Sequence, residues 1–252
     1  MNSDQYDVRT LSHDYWSGRA AEFSALRMKE YETPMRNQLL KYIRTLLPDD
    51  RPIQALDVGC GAGFLTLLLL EKGCMVTAID FSAEMLELAK KNCREKDFSS
   101  GVTFLQMDAQ NLLFPDNSFD FVITRNVVWT LPDAETACLE MFRVLKAGGT
   151  LLNMDANYGK AFNEADARGE LPHHPTQTLE QLRTRNRIVR DLDITKAQRP
   201  LWDFSIFWDA GATDIRVERD ILGRLSIGQF DTATAAGTQK KAADMFAIIV
   251  RK

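Results

Sequence analysis

Hydrophobic residues follow two different rhythms along the chain. Over residues 1–50 they recur at helical spacing, through Trp16–Tyr31 and Pro34–Leu47, and Pro48 with Asp49 ends the second run. From residue 53 onward, short unbroken apolar runs alternate with longer amphipathic stretches, which predicts strands alternating with helices. Strands are expected at Ile53–Val58, Met75–Asp80, Val102–Met107, Phe119–Thr124 and Thr150–Asp155. Helices are expected between them, near Phe64–Lys72, Ala83–Lys96 and Asp133–Leu145, with Ser82 placed as an N-cap for the second. Such alternation implies a parallel sheet covered by helices on both faces.

The last third breaks the rhythm. Asn157–Pro200 is a long polar insert with a helical patch at Leu179–Leu192. A helix at Trp202–Ala210, closed by Gly211, then precedes strands at Asp214–Asp220 and Met245–Val250. The expected organisation is one domain: a helical cap (1–50), a ligand-binding core (53–155), a lid or substrate insert (157–200) and a C-terminal helix with strands (201–252).

Composition narrows the class. A chain of 252 residues with 45% hydrophobic and 26% charged residues is that of a globular protein. A net charge of −4 speaks against a general nucleic-acid or membrane-surface binder. The polar start MNSDQYDVRT lacks the apolar core of a secretion signal, and no apolar run is long enough to span a bilayer. Cys60, Cys74, Cys93 and Cys138 lack metal-ligand or redox spacing, so reduced thiols in a cytoplasmic protein are expected.

The densest chemistry lies in LDVGCGAGF, Leu56–Phe64. An apolar strand stops at Gly59, Gly61 and Gly63, and an apolar helix follows at once. Glycines suit a backbone that turns sharply and presents its N–H groups to a ligand. About twenty residues on, a second strand ends in Asp80, the expected place for a carboxylate that grips a ribose. In open sheets of this kind ligands sit at the carboxyl ends of the strands, which here carry Asp57–Gly63, Asp80, Asp108, Arg125–Asn126 and Asp155.

Four segments in order, LDVGCGAGF, VTAIDFSAEMLELAKKN, VTFLQMDAQNLLFPDNSFDFVIT and LPDAETACLEMFRVLKAGGTLLNMD, give the chain a family likeness. It resembles the class I S-adenosylmethionine-dependent methyltransferases, in particular the small-molecule group that includes the ubiquinone and menaquinone biosynthesis enzymes. The resemblance implies an α/β, Rossmann-like, doubly wound and mostly parallel seven-stranded sheet, with an N-terminal helical cap and a long insert after the fifth strand. It implies S-adenosylmethionine as cofactor and a small-molecule methyl acceptor as partner. Carried over by position, the glycine turn would pass under the methionine part of the cofactor, with Asp57 opening the motif. Asp80 would hold the ribose hydroxyls with Phe81 beside the adenine, and Asp108 with Ala109 would meet the adenine amino group. Arg125, Asn126 and Val127 would close over the sulfonium, and Trp16 and Arg19 would contact the cofactor from the cap. The chain departs from its likeness at Phe23, where a tyrosine is common, at Trp129–Thr130, where many relatives have a histidine, and at Ala147, where a proline is usual.

The acceptor side is less marked. A hydroxyl acceptor would need a base, for which His173, His174, Asp155 and Tyr158 are the candidates, while a thiol or an amine could need none. No metal site is expected. Arg183, Arg187 and Arg190 fit either an anion clamp or, more simply, a solvated helix face. Trp129 follows a strand end and fits the site, whereas Trp202 and Trp208 fit core packing. Two other functions stay open: a cofactor-binding scaffold without chemistry, and a nicotinamide dehydrogenase, against which the G-x-G-x-G turn speaks. Nucleic-acid methylation is disfavoured by the acidic balance and by Arg125–Trp129, which stands where an Asn-Pro-Pro-Tyr-type motif would be.

Overall fold

A computed structural model describes residues 8–48, 50–170, 177–224 and 245–252. The cap comprises α1 (Val8–Ser17), α2 (Ala20–Tyr31) and α3 (Pro34–Leu46). The single helix expected over Trp16–Tyr31 is two: the chain breaks at Gly18, and Arg19 leaves helical geometry at φ −107°, ψ 3°. Thr33 then caps α3, its hydroxyl accepting from Met35 N, with Pro34 in the first turn.

The core follows as β1 (Gln54–Val58), α4 (Phe64–Lys72), β2 (Met75–Asp80), α5 (Ala83–Glu95), β3 (Val102–Gln106), β4 (Phe119–Arg125), α6 (Ala134–Val144) and β5 (Leu145–Asp155). Ser82 caps α5 as the sequence predicts, accepting from Met85 N at 3.2 Å. β5 starts earlier than the expected Thr150, because Leu145 already pairs with Phe119 before the Gly148 turn shifts the register to Thr150 on Phe121. The insert carries α7 (Tyr158–Ala167), which its polar sequence hid, and α8 (Leu179–Arg190), closed at its start by a reciprocal Thr178–Gln181 capping box. The chain ends with α9 (Leu201–Asp209), β6 (Asp214–Arg219), a short α10 (Ile221–Arg224) and β7 (Phe246–Arg251).

The seven strands form one sheet in the order β3-β2-β1-β4-β5-β7-β6. Neighbours among β1 to β5 pair in parallel, and β7 runs antiparallel between β5 and β6. Strand periodicity divides the interior in two. Ala55, Phe121, Ile123, Leu152 and Ile249 face the layer of α3, α4 and α5. Leu56, Val58, Val122, Leu151 and Val250 face α6 and Phe207 of α9. Helix α4 is buried from Phe64 to Leu70, which explains why its sequence is apolar on all sides. Trp202 is half-buried against the second layer, but Trp208 is 63% exposed. Phe207 takes the inward position of α9 and is fully buried, and the next residue is turned about 100° away from it.

Connections run from β1 outward to β3 on one side and from β4 outward on the other. The reversal lies between β1 and β4, and in open sheets of this kind the ligand crevice lies beyond the carboxyl ends of the strands at that point. Among the described residues no helix is long and apolar enough to cross a membrane.

Candidate functional site

The loops on the two sides of the reversal touch. Gly59, just after β1, has φ +65°, and a β-carbon there would lie 2.5 Å from Val127 Cγ2, just after β4. Only a residue without a side chain fits between them. At Gly61 a β-carbon would meet Phe23 of α2 at 3.1 Å, so the cap rests directly on the turn. The Gly61 amide donates to Asp80 Oδ2 at 2.9 Å, and the Ser82 amide donates to Asp80 Oδ1 at 3.0 Å. Each Asp80 oxygen therefore keeps a lone pair for a further donor, which suits a carboxylate that accepts from a vicinal diol such as a ribose.

Burial governs the charge of these acids. Desolvation pushes Asp80 up to about 6, against the pull of the Ser82 and Gly61 amides. Asp57 is pushed up to about 7 by full burial, with the Thr66 hydroxyl opposing and the nearby Asp80 charge adding to the rise. Thr66 Oγ1 donates to Asp57 Oδ2 at 2.6 Å, while the buried Asp57 Oδ1 accepts no hydrogen bond among the described residues.

Helix α1 lies over the ends of β2 and β3. His13 meets the ring of Phe81 edge-on at 5.5 Å, and Arg9 Nη1 lies 4.0 Å from Asp108 Oδ2. Asp108 Oδ1 accepts from the Gln110 amide at 2.9 Å, which fixes the loop that carries the buried Ala109. Trp16 stands edge-on to Trp129 at 6.4 Å and to Phe23 at 6.0 Å. Arg19 is buried beside it, donating to Tyr15 Oη at 3.0 Å and pairing with Glu22 at 2.8 Å.

The segment after β4 is divided in its tasks. Arg125 is turned inward, its Nη1 donating to Glu30 Oε2 at 3.2 Å beside the Arg27–Glu30 pair at 2.8 Å. It fastens the cap to the sheet and does not stand open above the crevice. Asn126 adopts a left-handed φ of +59°, held by its amide on Met154 O at 2.9 Å. Its Oδ1 is buried and accepts no hydrogen bond among the described residues. Val127 covers Gly59, and Trp129 extends an aromatic wall to Tyr158 at 5.3 Å and Phe162 at 5.9 Å.

The base candidates fare differently. Asp155 is fully buried, accepts from the amides of Trp129 and Ala156, and pairs with Arg199 at 2.9 Å. Arg199 also grips Asp203, Nη2 to Oδ1 at 2.6 Å. Every described contact of Asp155 lies inside the fold, where it holds the Trp129 turn. Tyr158 remains on the wall of the crevice, and His173 and His174 lie outside the described residues. Among the described residues no cluster of His, Cys, Asp and Glu could hold a metal ion. Arg183, Arg187 and Arg190 are exposed, as a solvated face requires. The buried arginine of that helix is Arg185, whose place on the apolar stripe with Leu182, Ile188 and Val189 was the available signal.

Residues 56–153 match a family described as a methyltransferase domain. Demethylmenaquinone methyltransferase of Staphylococcus epidermidis is 36% identical over 121 residues, which cover 46% of this chain and 48% of that protein. Phosphatidylethanolamine N-methyltransferase of Cereibacter sphaeroides is 39% identical over 99 residues, covering 39% of this chain and 48% of that protein. The chain thus spans about half the length of these curated relatives. The fold is shared with Haemonchus contortus phosphoethanolamine N-methyltransferase 2 in complex with S-adenosyl-L-methionine, at a TM-score of 0.60 and 19% identity over 99% of this chain and 58% of that one. It is also shared with a SAM-dependent methyltransferase from Aquifex aeolicus, at 0.52 and 19% over 88% and 95%. Residues 56–153 therefore match a methyltransferase domain, and in this core the chain resembles the S-adenosylmethionine-dependent methyltransferases of quinone biosynthesis.

Proposed function

We propose that the chain is a cytoplasmic enzyme that transfers a methyl group from S-adenosylmethionine to a small-molecule acceptor by in-line displacement. One observation carries this reading: the Gly61 amide on Asp80 Oδ2 joins the glycine turn to the acid of the next strand, leaving lone pairs for a ribose diol. The match of residues 56–153 to a methyltransferase domain supports it, as do the names of the relatives. The cytoplasmic setting is supported by four cysteines that are all free and buried.

Bound S-adenosylmethionine would supply a methyl group already activated on a sulfonium, so the chain need supply no nucleophile. Its task is to hold, orient and exclude water. The turn of Gly59, Gly61 and Gly63, with Asp57, would line the methionine part, and Asp80 would accept from the ribose. Phe81, Asp108 and Ala109 would frame the adenine beneath α1. Trp16, Arg19, Asn126 and Val127 would bound the reacting end, and Arg125 would hold the cap above it. Fixing two reactants in one orientation contributes roughly 7–11 kcal/mol, enough for transfer without an acid or a nucleophilic side chain. Where the acceptor is a hydroxyl, Tyr158, His173 and His174 are the groups to accept its proton.

The test is to incubate the protein with isotopically labelled S-adenosylmethionine and host metabolite extract, then identify the labelled compound by mass. A labelled small molecule that is absent with Asp80→Ala is the expected result. Label only in protein or nucleic acid, or no transfer despite tight cofactor binding, would overturn the small-molecule reading.

A further inference from the structure

Between the cap and the insert, two guanidinium groups converge on one neutral side chain. Arg185 of α8 is 5% exposed and Arg19 is 6% exposed. The Gln177 carboxamide lies between them, 3.4 Å from Arg185 Nη1 on one side and 3.0 and 3.1 Å from the Arg19 Nη atoms on the other. Arg19 has Glu22 as its counter-ion. Among the described residues no carboxylate pairs with Arg185, which donates to the neutral Asn186 Oδ1 at 2.9 Å, and the one Gln177 oxygen can accept from Arg185 or from Arg19 but not from both. Its guanidinium lies 3.6 Å from the centre of the Phe162 ring. Burial and the neighbouring Arg19 pull its pKa down to about 10, which marks a charge the fold does not compensate. A buried cation without a counter-ion is costly, and its cost falls when a ligand brings the anion.

The pair stands beside the crevice. Phe162 meets Trp129 at 5.9 Å, and Trp129 meets Trp16 at 6.4 Å, so one aromatic wall runs from Arg185 to the end of β4. From this geometry we infer that the methyl acceptor carries an anionic group, a carboxylate or a phosphate monoester, which takes the place of the Gln177 carboxamide between Arg19 and Arg185. Its flat or apolar body lies along the wall of Trp129 and Phe162. Both guanidinia can offer paired N–H donors, the geometry that carboxylate and phosphate oxygens match best. This rests on the proposed methyl transfer, because the wall leads to the cofactor crevice.

Calorimetry on the full-length protein, first with S-adenosylhomocysteine and then with four probes, tests it. Benzoate and phenyl phosphate are the anions, and benzamide and benzyl alcohol their neutral counterparts. The expected result is that S-adenosylhomocysteine binds and at least one anion binds about tenfold or more tightly than the neutral probes. Arg185→Gln should erase that preference, and Arg185→Lys should restore part of it. Gln177→Glu should supply the missing carboxylate from within, raising the melting temperature and weakening the preferred anion about tenfold or more. Whichever anion prevails names the group. Equal binding of anions and neutral probes, or Gln177→Glu without effect on either quantity, would overturn the inference while leaving the cofactor site intact. No binding of S-adenosylhomocysteine would instead overturn the methyl-transfer reading, and this inference with it.

Discussion

Single atoms decide what the crevice tolerates, and Gly59 is the clearest case. Gly59→Ala forces a β-carbon to within 2.5 Å of Val127 Cγ2 at a φ of +65°. Chemical denaturation should record a loss of about 1–3 kcal/mol from the strained backbone, with the clash added to it. Adding Val127→Ala should recover the steric part and leave the strain. A second residue-scale effect concerns Asp57, which keeps its proton in the fold to about 7 but loses it near 3.8 in the unfolded chain. An acid whose folded value is raised stabilises the fold below its unfolded value and loses that contribution as pH rises through the folded one. Asp57→Asn removes this dependence. The melting temperature of the variant relative to the parent should climb between pH 4 and pH 7 and then level off. An offset constant across that window would show that Asp57 does not titrate with the fold.

At the scale of elements, paired charges fasten the helices that surround the crevice. Arg199 joins the end of β5 to α9 through Asp155 and Asp203, all three side chains being fully buried. Arg199→Met leaves two carboxylates without their cation, and urea titration should register a loss of about 3–5 kcal/mol that shrinks in acid. These fastenings were beyond the reach of sequence reading, because Glu30 and Arg125 are 95 residues apart and no local pattern links them. The strands were legible for the opposite reason. Buried along most of their length, β1 and β4 are largely apolar runs, and polar residues within them, such as Asp57 and Arg125, are the ones with chemistry or fastening to do. Helix α7 leaves no periodic mark in the sequence because YGKAFNEADA buries only Gly159 and Ala165, too few for an apolar stripe. The sequence predicts one cap helix across Gly18, because helical spacing persists there although the hydrogen-bond ladder does not.

At the scale of the molecule, the cap and the strand ends form one enclosure. Helix α1 touches Phe81, Asp108 and Trp129, which belong to three different loops, and Phe23 of α2 covers Gly61. A nucleoside held there would gain contacts on two sides and be screened from water. Ligand binding should then stabilise the whole fold, by about 2.7 kcal/mol when the ligand stands at a hundred times its dissociation constant. Because burial raises Asp80 to about 6, affinity should also tighten from pH 5 to pH 8 as its carboxylate ionises and accepts the ribose. The most direct measurement is a calorimetric titration with S-adenosylhomocysteine, set against NAD, on the parent chain and on Asp80→Ala. One site per chain, weakened about tenfold or more by Asp80→Ala and indifferent to NAD, is the predicted result. Heat from NAD alone, or S-adenosylhomocysteine binding that Asp80→Ala does not disturb, would contradict it.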